Sequence, residues 1–261
     1  MSHVLAHDQD GVRTLTLNRP EALNALTLEG TRELGEQLEA AAAAAGVRAV
    51  VLTGAGSAFS AGGDVTLLRA IPAMSDAELR TVVYGTFQRP IRAIRTTDKP
   101  VIAAVNGPAV GAGCELAVAA DFRLASERAR FGEVWIKLGC VPALGGMYLL
   151  PRLVGLTRAT ELILTGEIID AAEAHRIGLV GRVVPAADLL PAAQALGRTL
   201  AQGPARALAA AKAALNRGLA TDLWTELEAT VTAQLDCFRT RDFAEGVRAL
   251  DERRPPRFTG A

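Results

Sequence analysis

The sequence predicts an α/β fold. Short apolar strands alternate with helical stretches, tight glycine turns join them, and strand signals stop near residue 200. Val12 to Leu17 alternates in the manner of a strand, and Asn18-Arg19-Pro20 ends it. Thr27 to Ala45 reads as a helix, with Leu34 and Leu38 on one face and a run of good helix-forming alanines. Val47 to Thr53 is a buried type of strand closed by Gly54-Ala-Gly56. Pro100 to Val105 is a second such strand, and it leads through Gly111-Ala-Gly113 into a helix carrying Glu115. Phe122 to Ala125 follows that helix directly as a third. Beyond about residue 200, Pro204 marks a helix start and Gly218 its end. Leu223 to Phe238 and Phe243 to Leu250 continue as helices, and the prolines of Arg253-Arg-Pro-Pro-Arg-Phe258 end helical structure. The expected organisation is a core over residues 1–200 and a helical tail over residues 201–261.

Composition narrows the function classes. The chain of 261 residues is half hydrophobic with no net formal charge, which argues against a nucleic-acid surface or an acidic tail. Three widely spaced cysteines, Cys114, Cys140 and Cys237, form no Cys-x-x-Cys, so neither a disulfide framework nor a zinc site is expected, and a reducing compartment is. No signal-peptide pattern and no membrane-length apolar run stand out, so the expectation is a cytoplasmic protein without a membrane partner. Both glycine clusters fail as dinucleotide turns, because Phe59 and Leu116 occupy the third small position, and neither precedes a Gly-Lys-Ser/Thr. His3, His7 and His175 belong to no nucleophile arrangement, and no Gly-x-Ser-x-Gly elbow exists. Metal ligands would have to be carboxylates, and nothing clusters them.

What remains are two turns of similar character, Phe59-Ser-Ala-Gly-Gly-Asp64 and Gly111-Ala-Gly-Cys-Glu115, each following a strand. Either can present a backbone N–H at its strand's C-terminal edge, where a helix start favours negative charge. Two such donors converging on one carbonyl oxygen make an oxyanion hole, and a nearby carboxylate can move a proton beside the same carbonyl. The bland alternative for each turn is a structural bend, and for Glu115 compensation of the helix dipole.

The chain resembles the enoyl-CoA hydratase/isomerase (crotonase) superfamily over nearly its whole length. The stretches that carry the resemblance are Leu17-Asn-Arg-Pro-Glu-Ala-Leu-Asn-Ala-Leu26, Phe59-Ser-Ala-Gly-Gly-Asp64, Lys99-Pro-Val-Ile-Ala-Ala-Val-Asn-Gly107 and Gly113-Cys-Glu-Leu-Ala117. They continue with Phe131-Gly-Glu133, Leu138-Gly-Cys-Val-Pro142, Gly145-Gly146, Leu164-Thr-Gly166 and Arg254-Pro-Pro-Arg-Phe-Thr-Gly260. The resemblance implies a crotonase-like spiral of ββα units with a C-terminal helical trimerisation region, assembled as a homotrimer or a hexamer of paired trimers. It implies an acyl-CoA substrate and no separate cofactor, coenzyme A being carried as part of that substrate. The family's two oxyanion donors fall on the backbone N–H of Gly63 and Ala112, and its proton-transfer glutamate on Glu115. Substrate contacts are implied at Ala22, Leu23, Ala61, Gly63, Asp64, Val65, Thr66, Gly111, Trp135 and Ala143.

One departure bears on the reaction. The family's hydratases carry a second glutamate at the place of Trp135, and an indole cannot trade protons near neutral pH. Some isomerases and dehalogenases of the family carry an aspartate where this chain has Ala143. The expected activity is therefore hydration or double-bond isomerisation of an enoyl-CoA through Glu115 alone. The alternative is a CoA-thioester-binding protein with little turnover. Trp135 is read as either a core residue or a wall of the acyl pocket. Glu133 is expected at the rim or in solvent, in an extended segment that also holds Trp135, with substitution for the missing glutamate as its other reading. Asp64 is expected to bond to its own turn, and Arg257 to be an exposed surface arginine.

Overall fold

The computed structural model describes residues 2–260. Nine strands occur among them: β1 Val4–Gln9, β2 Val12–Leu17, β3 Ala49–Gly54, β4 Val101–Val105, β5 Pro108–Val110, β6 Phe122–Ser126, β7 Arg130–Gly132, β8 Ile168–Asp170 and β9 Arg182–Val184. The helices of the first half are α1 Leu28–Ala43, α2 Val65–Ala70, α3 Asp76–Glu78, α4 Gly85–Thr96 and α5 Ala112–Ala119. Those of the second half are α6 Gly146–Val154, α7 Leu156–Thr165, α8 Ala171–Arg176, α9 Leu189–Ala201, α10 Ala205–Gly218, α11 Leu223–Phe238 and α12 Arg241–Asp251.

Two sheets result. The larger has the order β1-β2-β3-β4-β6-β9, antiparallel only between β1 and β2, and the smaller is β5-β7-β8. Both faces of the larger sheet are covered, so its central strands are apolar throughout rather than alternating. Side chains of a strand point to opposite faces in turn. Val50, Leu52, Val101, Ala103 and Val105 face the main core with α1, α4 and α5, whereas Val51, Ile102 and Ala104 face Leu189 and Ala193 of α9. Helix α1 begins where Thr27 caps it, its side chain accepting the N–H of Gly30 at 3.0 Å.

Parallel β3 leads directly into the first glycine turn, whereas β4 is followed by β5 of the smaller sheet, which the sequence reading did not include and which leads into the second. Residues 65–96, for which the sequence sets no expectation of secondary structure, form α2, α3, a π-helical turn over Leu79–Tyr84 and α4. Past residue 201 only helices occur among the described residues. They remain tied to the sheet: the buried Lys212 of α10 reaches Asp121 at 2.7 Å and the carbonyls of Ile94 and Lys99 at 2.9 Å. Near the end of the chain, Asp242 accepts the N–H groups of Thr259 at 2.7 Å and Gly260 at 2.8 Å.

Candidate functional site

The first turn is pinned from beneath by Asn24. Its side-chain nitrogen donates to the carbonyls of Ala55 and Ala58 at 2.8 Å, its side-chain oxygen accepts the Arg19 N–H at 2.9 Å, and its backbone carbonyl accepts the Ser60 hydroxyl at 2.9 Å. These bonds hold Leu23 and Asn24 in left-handed backbone conformations, with φ of 51° and 56°. The Ala61 N–H donates to Leu23 at 2.9 Å, so the Ala22-Leu23 stretch lies along the turn it was expected to flank. Leu23 and Val65 are exposed, and Asp64 caps α2 by accepting the Thr66 N–H at 2.9 Å. Arg19 donates to the other oxygen of Asp64 at 2.9 Å, which holds this carboxyl below its ordinary range.

The two turns abut. Phe59 and Ser60 donate to the carbonyl of Pro108 at 3.1 and 3.0 Å, and Val110 returns a bond to Ser60 at 3.0 Å. The approach is close enough to demand glycine. A Cβ on Gly113 would lie 2.4 Å from the Ser60 carbonyl oxygen, and one on Gly62 2.7 Å from that of Val110 and 3.5 Å from the Ala112 nitrogen. The Gly63 and Ala112 N–H groups, one per turn, carry no hydrogen bond among the described residues.

Every residue of α5 is buried. Glu115, one turn into it, is only 1 % exposed. Its Oε1 accepts the N–H groups of Leu144 and Gly146, both at 2.8 Å, where the chain enters α6. Its Oε2 has no partner. Burial raises this carboxyl to about 7, against the opposing pull of the Gly146 and Leu144 N–H groups. This turn went unread in the sequence as a contact of Glu115. The signal was Gly145-Gly146 before a helical stretch, the same glycine-then-helix pattern as the second turn.

Glu133 is not at the rim. It is as buried as Glu115, and neither of its oxygens has a hydrogen-bond partner. The extended reading of this segment fails because Val134–Leu138 closes into a 3₁₀ turn with Glu133 at its start, which directs the side chain inward. Burial and the neighbouring charge of Glu115 push the Glu133 carboxyl well above the ordinary range. Trp135 is half-buried, and its indole lies along the second turn, with ring carbons 3.7 Å from a Cβ built on Gly111. The indole N–H faces both carboxyls without completing a hydrogen bond and favours their ionised forms.

Ala143 lies just before the Leu144–Gly146 turn, where its carbonyl accepts from Gln88 at 3.1 Å. With Arg80, Tyr84 and Gln88 it lines an open depression beside the π-helical turn, a feature frequent at functional sites. Arg257 is exposed, its backbone N–H bound to Glu245 at 2.9 Å. Among the described residues no three His, Cys, Asp or Glu side chains converge as metal ligands, and no helix is long and apolar enough to cross a membrane.

Residues 7–261 match the family model described as enoyl-CoA hydratase/isomerase. The crotonyl-CoA hydratase of Syntrophomonas wolfei is 38 % identical over 259 residues, covering 98 % of this chain and 97 % of that protein. The 1,2-epoxyphenylacetyl-CoA isomerase of Escherichia coli is 38 % identical over 260 residues, covering 100 % and 99 %. Among solved structures, an enoyl-CoA hydratase from Bacillus anthracis superposes with a TM-score of 0.93 at 36 % identity, covering 99 % of this chain and 100 % of that one.

Proposed function

Because this chain belongs to the enoyl-CoA hydratase/isomerase family and has its crotonase fold, we propose that it binds an enoyl-CoA thioester and moves a proton beside the carbonyl through Glu115. The observation that carries this reading is the state of Glu115. It is buried, its Oε1 is fixed by two backbone N–H groups, and its Oε2 is left without a partner. With the ionisation midpoint raised towards neutrality, such a carboxyl can both take and return a proton.

The thioester oxygen would accept hydrogen bonds from the Gly63 and Ala112 N–H groups. In hydration, Glu115 takes a proton from water as the water oxygen bonds to the β-carbon. The double-bond electrons move through the α-carbon onto the carbonyl oxygen, where the two N–H groups stabilise them. Return of a proton to the α-carbon restores the carbonyl. In a double-bond shift, the same carboxylate takes the γ-proton and delivers it to the α-carbon. The coenzyme A arm would lie along Ala22-Leu23 and Gly63 to Thr66, where Leu23 and Val65 are exposed. The Trp135 indole would form a flat wall beside Gly111.

The alternative of a thioester-binding protein with little turnover was favoured by the absence of a second carboxylate. A buried carboxyl, Glu133, beside Glu115 supports turnover over that alternative, though it does not stand at the place of Trp135. The exposed apolar side chains of α11, Trp224 at 74 % and Leu223 at 65 % among them, support assembly into trimers or paired trimers. The test is product analysis on short, long and aromatic enoyl-CoAs with the wild-type protein and Glu115→Gln. Hydroxyacyl or positional-isomer products that vanish in the variant support the reading. Thioester binding without turnover in either protein refutes it.

A further inference from the structure

We propose that Glu133 and Glu115 titrate as one pair bearing a single negative charge, in which Glu133 holds the proton and the charge rests on Glu115. The proposal rests on the reading of Glu115 as the proton-transfer group and adds to it the residue that sets its charge.

The geometry begins at Gly146. A methyl carbon built on its Cα would lie 3.0 Å from Glu115 Oε1 and 3.1 Å from Glu133 Oε1, so the two carboxyls border one methyl-sized space. Both residues are 1 % exposed, and three of their four carboxyl oxygens have no hydrogen-bond partner. The other groups facing Glu133 are the Cys114 thiol from α5 and the Trp135 indole from the 3₁₀ turn. No lysine or arginine among the described residues pairs with either carboxyl. A buried carboxylate without a cation is costly, and two bordering the same space do not both ionise near neutral pH.

The backbone decides where the one charge goes. Glu115 Oε1 receives two N–H donors at 2.8 Å, whereas Glu133 receives none. The directions agree: burial raises Glu115 to about 7, and burial with the Glu115 charge pushes Glu133 well above the ordinary carboxylate range. Glu133 thus acts through Glu115, as a positioning residue for its charge. When Glu115 takes a proton from substrate or water, the charge that opposes ionisation of Glu133 disappears. The pair gains one proton and gives one back in each cycle, so no further acid or base is required.

The experiment follows the carbonyl stretch of protonated carboxylic acids by infrared difference spectroscopy of the unliganded protein as pH is raised. In the wild type a buried carboxylic-acid band should persist above about pH 8, and Glu133→Gln should remove it there. In Glu115→Gln the band should remain but titrate away about one pH unit lower or more, since the opposing charge is gone. Absence of the wild-type band at that pH overturns the proposal. A midpoint unmoved in Glu115→Gln overturns it equally, by showing a buried acid that shares nothing. The wild type and Glu115→Gln decide the question even if Glu133→Gln does not fold. Failure of turnover on every thioester leaves these bands unaffected, so the functional reading and this one fail separately.

Discussion

Asp64 and Glu115 each stand by one of two abutting glycine turns, yet their surroundings are opposite. Asp64 caps a short helix, faces Arg19 at 2.9 Å and is held below its ordinary range. Glu115 has backbone donors but no cation, lies within an entirely buried helix and is held well above its ordinary range. The first carboxylate is fixed in its charged form and stabilises a turn. The second sits near the midpoint of its titration. Environment rather than residue type separates an anchor from a proton carrier.

The largest effect should distinguish the two directly. Glu115→Gln should lower turnover of an enoyl-CoA by about a hundred- to ten-thousand-fold, while Asp64→Asn keeps most of it. Comparable losses in steady-state assays of both would break the contrast. Next is the donor at the start of Glu115's own helix. Ala112 is the first residue of α5, the place where proline is tolerated while removing the N–H. Ala112→Pro should therefore fold and lose about a hundred- to a thousand-fold in kcat, with thioester binding much less affected. Near-normal kcat in a folded variant would remove the second turn from the oxyanion hole.

Gly146→Ala probes the space around Glu115. Its methyl would press on both carboxyls, so an activity loss of about tenfold or more is expected. The stability cost should be about 1–3 kcal/mol, read from denaturant unfolding. A variant as stable and active as the parent would mean that the two side chains move aside freely.

Stability against pH gives the smallest and most specific effects. The folded value of Glu115 is raised above its unfolded one, so its contribution is complete below pH 4.5 and is lost as pH rises through about 7. Between those values the wild type should lose about 2–3 kcal/mol of unfolding free energy that Glu115→Gln retains. Asp64 behaves in the opposite sense. Its folded value is depressed, so its contribution is present above pH 3.8 and is lost as pH falls through the folded value. Because the pair with Arg19 is partly exposed, Asp64→Asn should cost about 1 kcal/mol or less near neutral pH. Parallel pH profiles for the two variants would contradict the opposite environments assigned to these residues.

Several strands and helices were legible because their signals are local, whereas β5, which leads into the second turn, and α6, whose start holds Glu115, were not read. Val12–Leu17 and Leu223–Phe238 have the expected bounds, and Leu28–Ala43 starts directly after the capping Thr27. The glycines of both turns were legible too, though not the reason for them. Gly113 is required by the Ser60 carbonyl, which arrives from another part of the chain. Glu133 was misread because an extended segment was assumed, and the 3₁₀ turn that buries it depends on packing against the second turn and α7.

The sequence by itself determined the alternation of strands and helices, the two glycine turns and the place of Glu115 one turn into a helix, all of which follow from near-neighbour sterics and hydrophobic periodicity. Only the tertiary structure decided that the two free N–H groups lie on abutting turns, that Leu144 and Gly146 hold Glu115, and that Glu133 shares its space. Those outcomes depend on desolvation and on charges or donors supplied from distant positions, and an ionisable side chain carries no local mark of which groups will surround it.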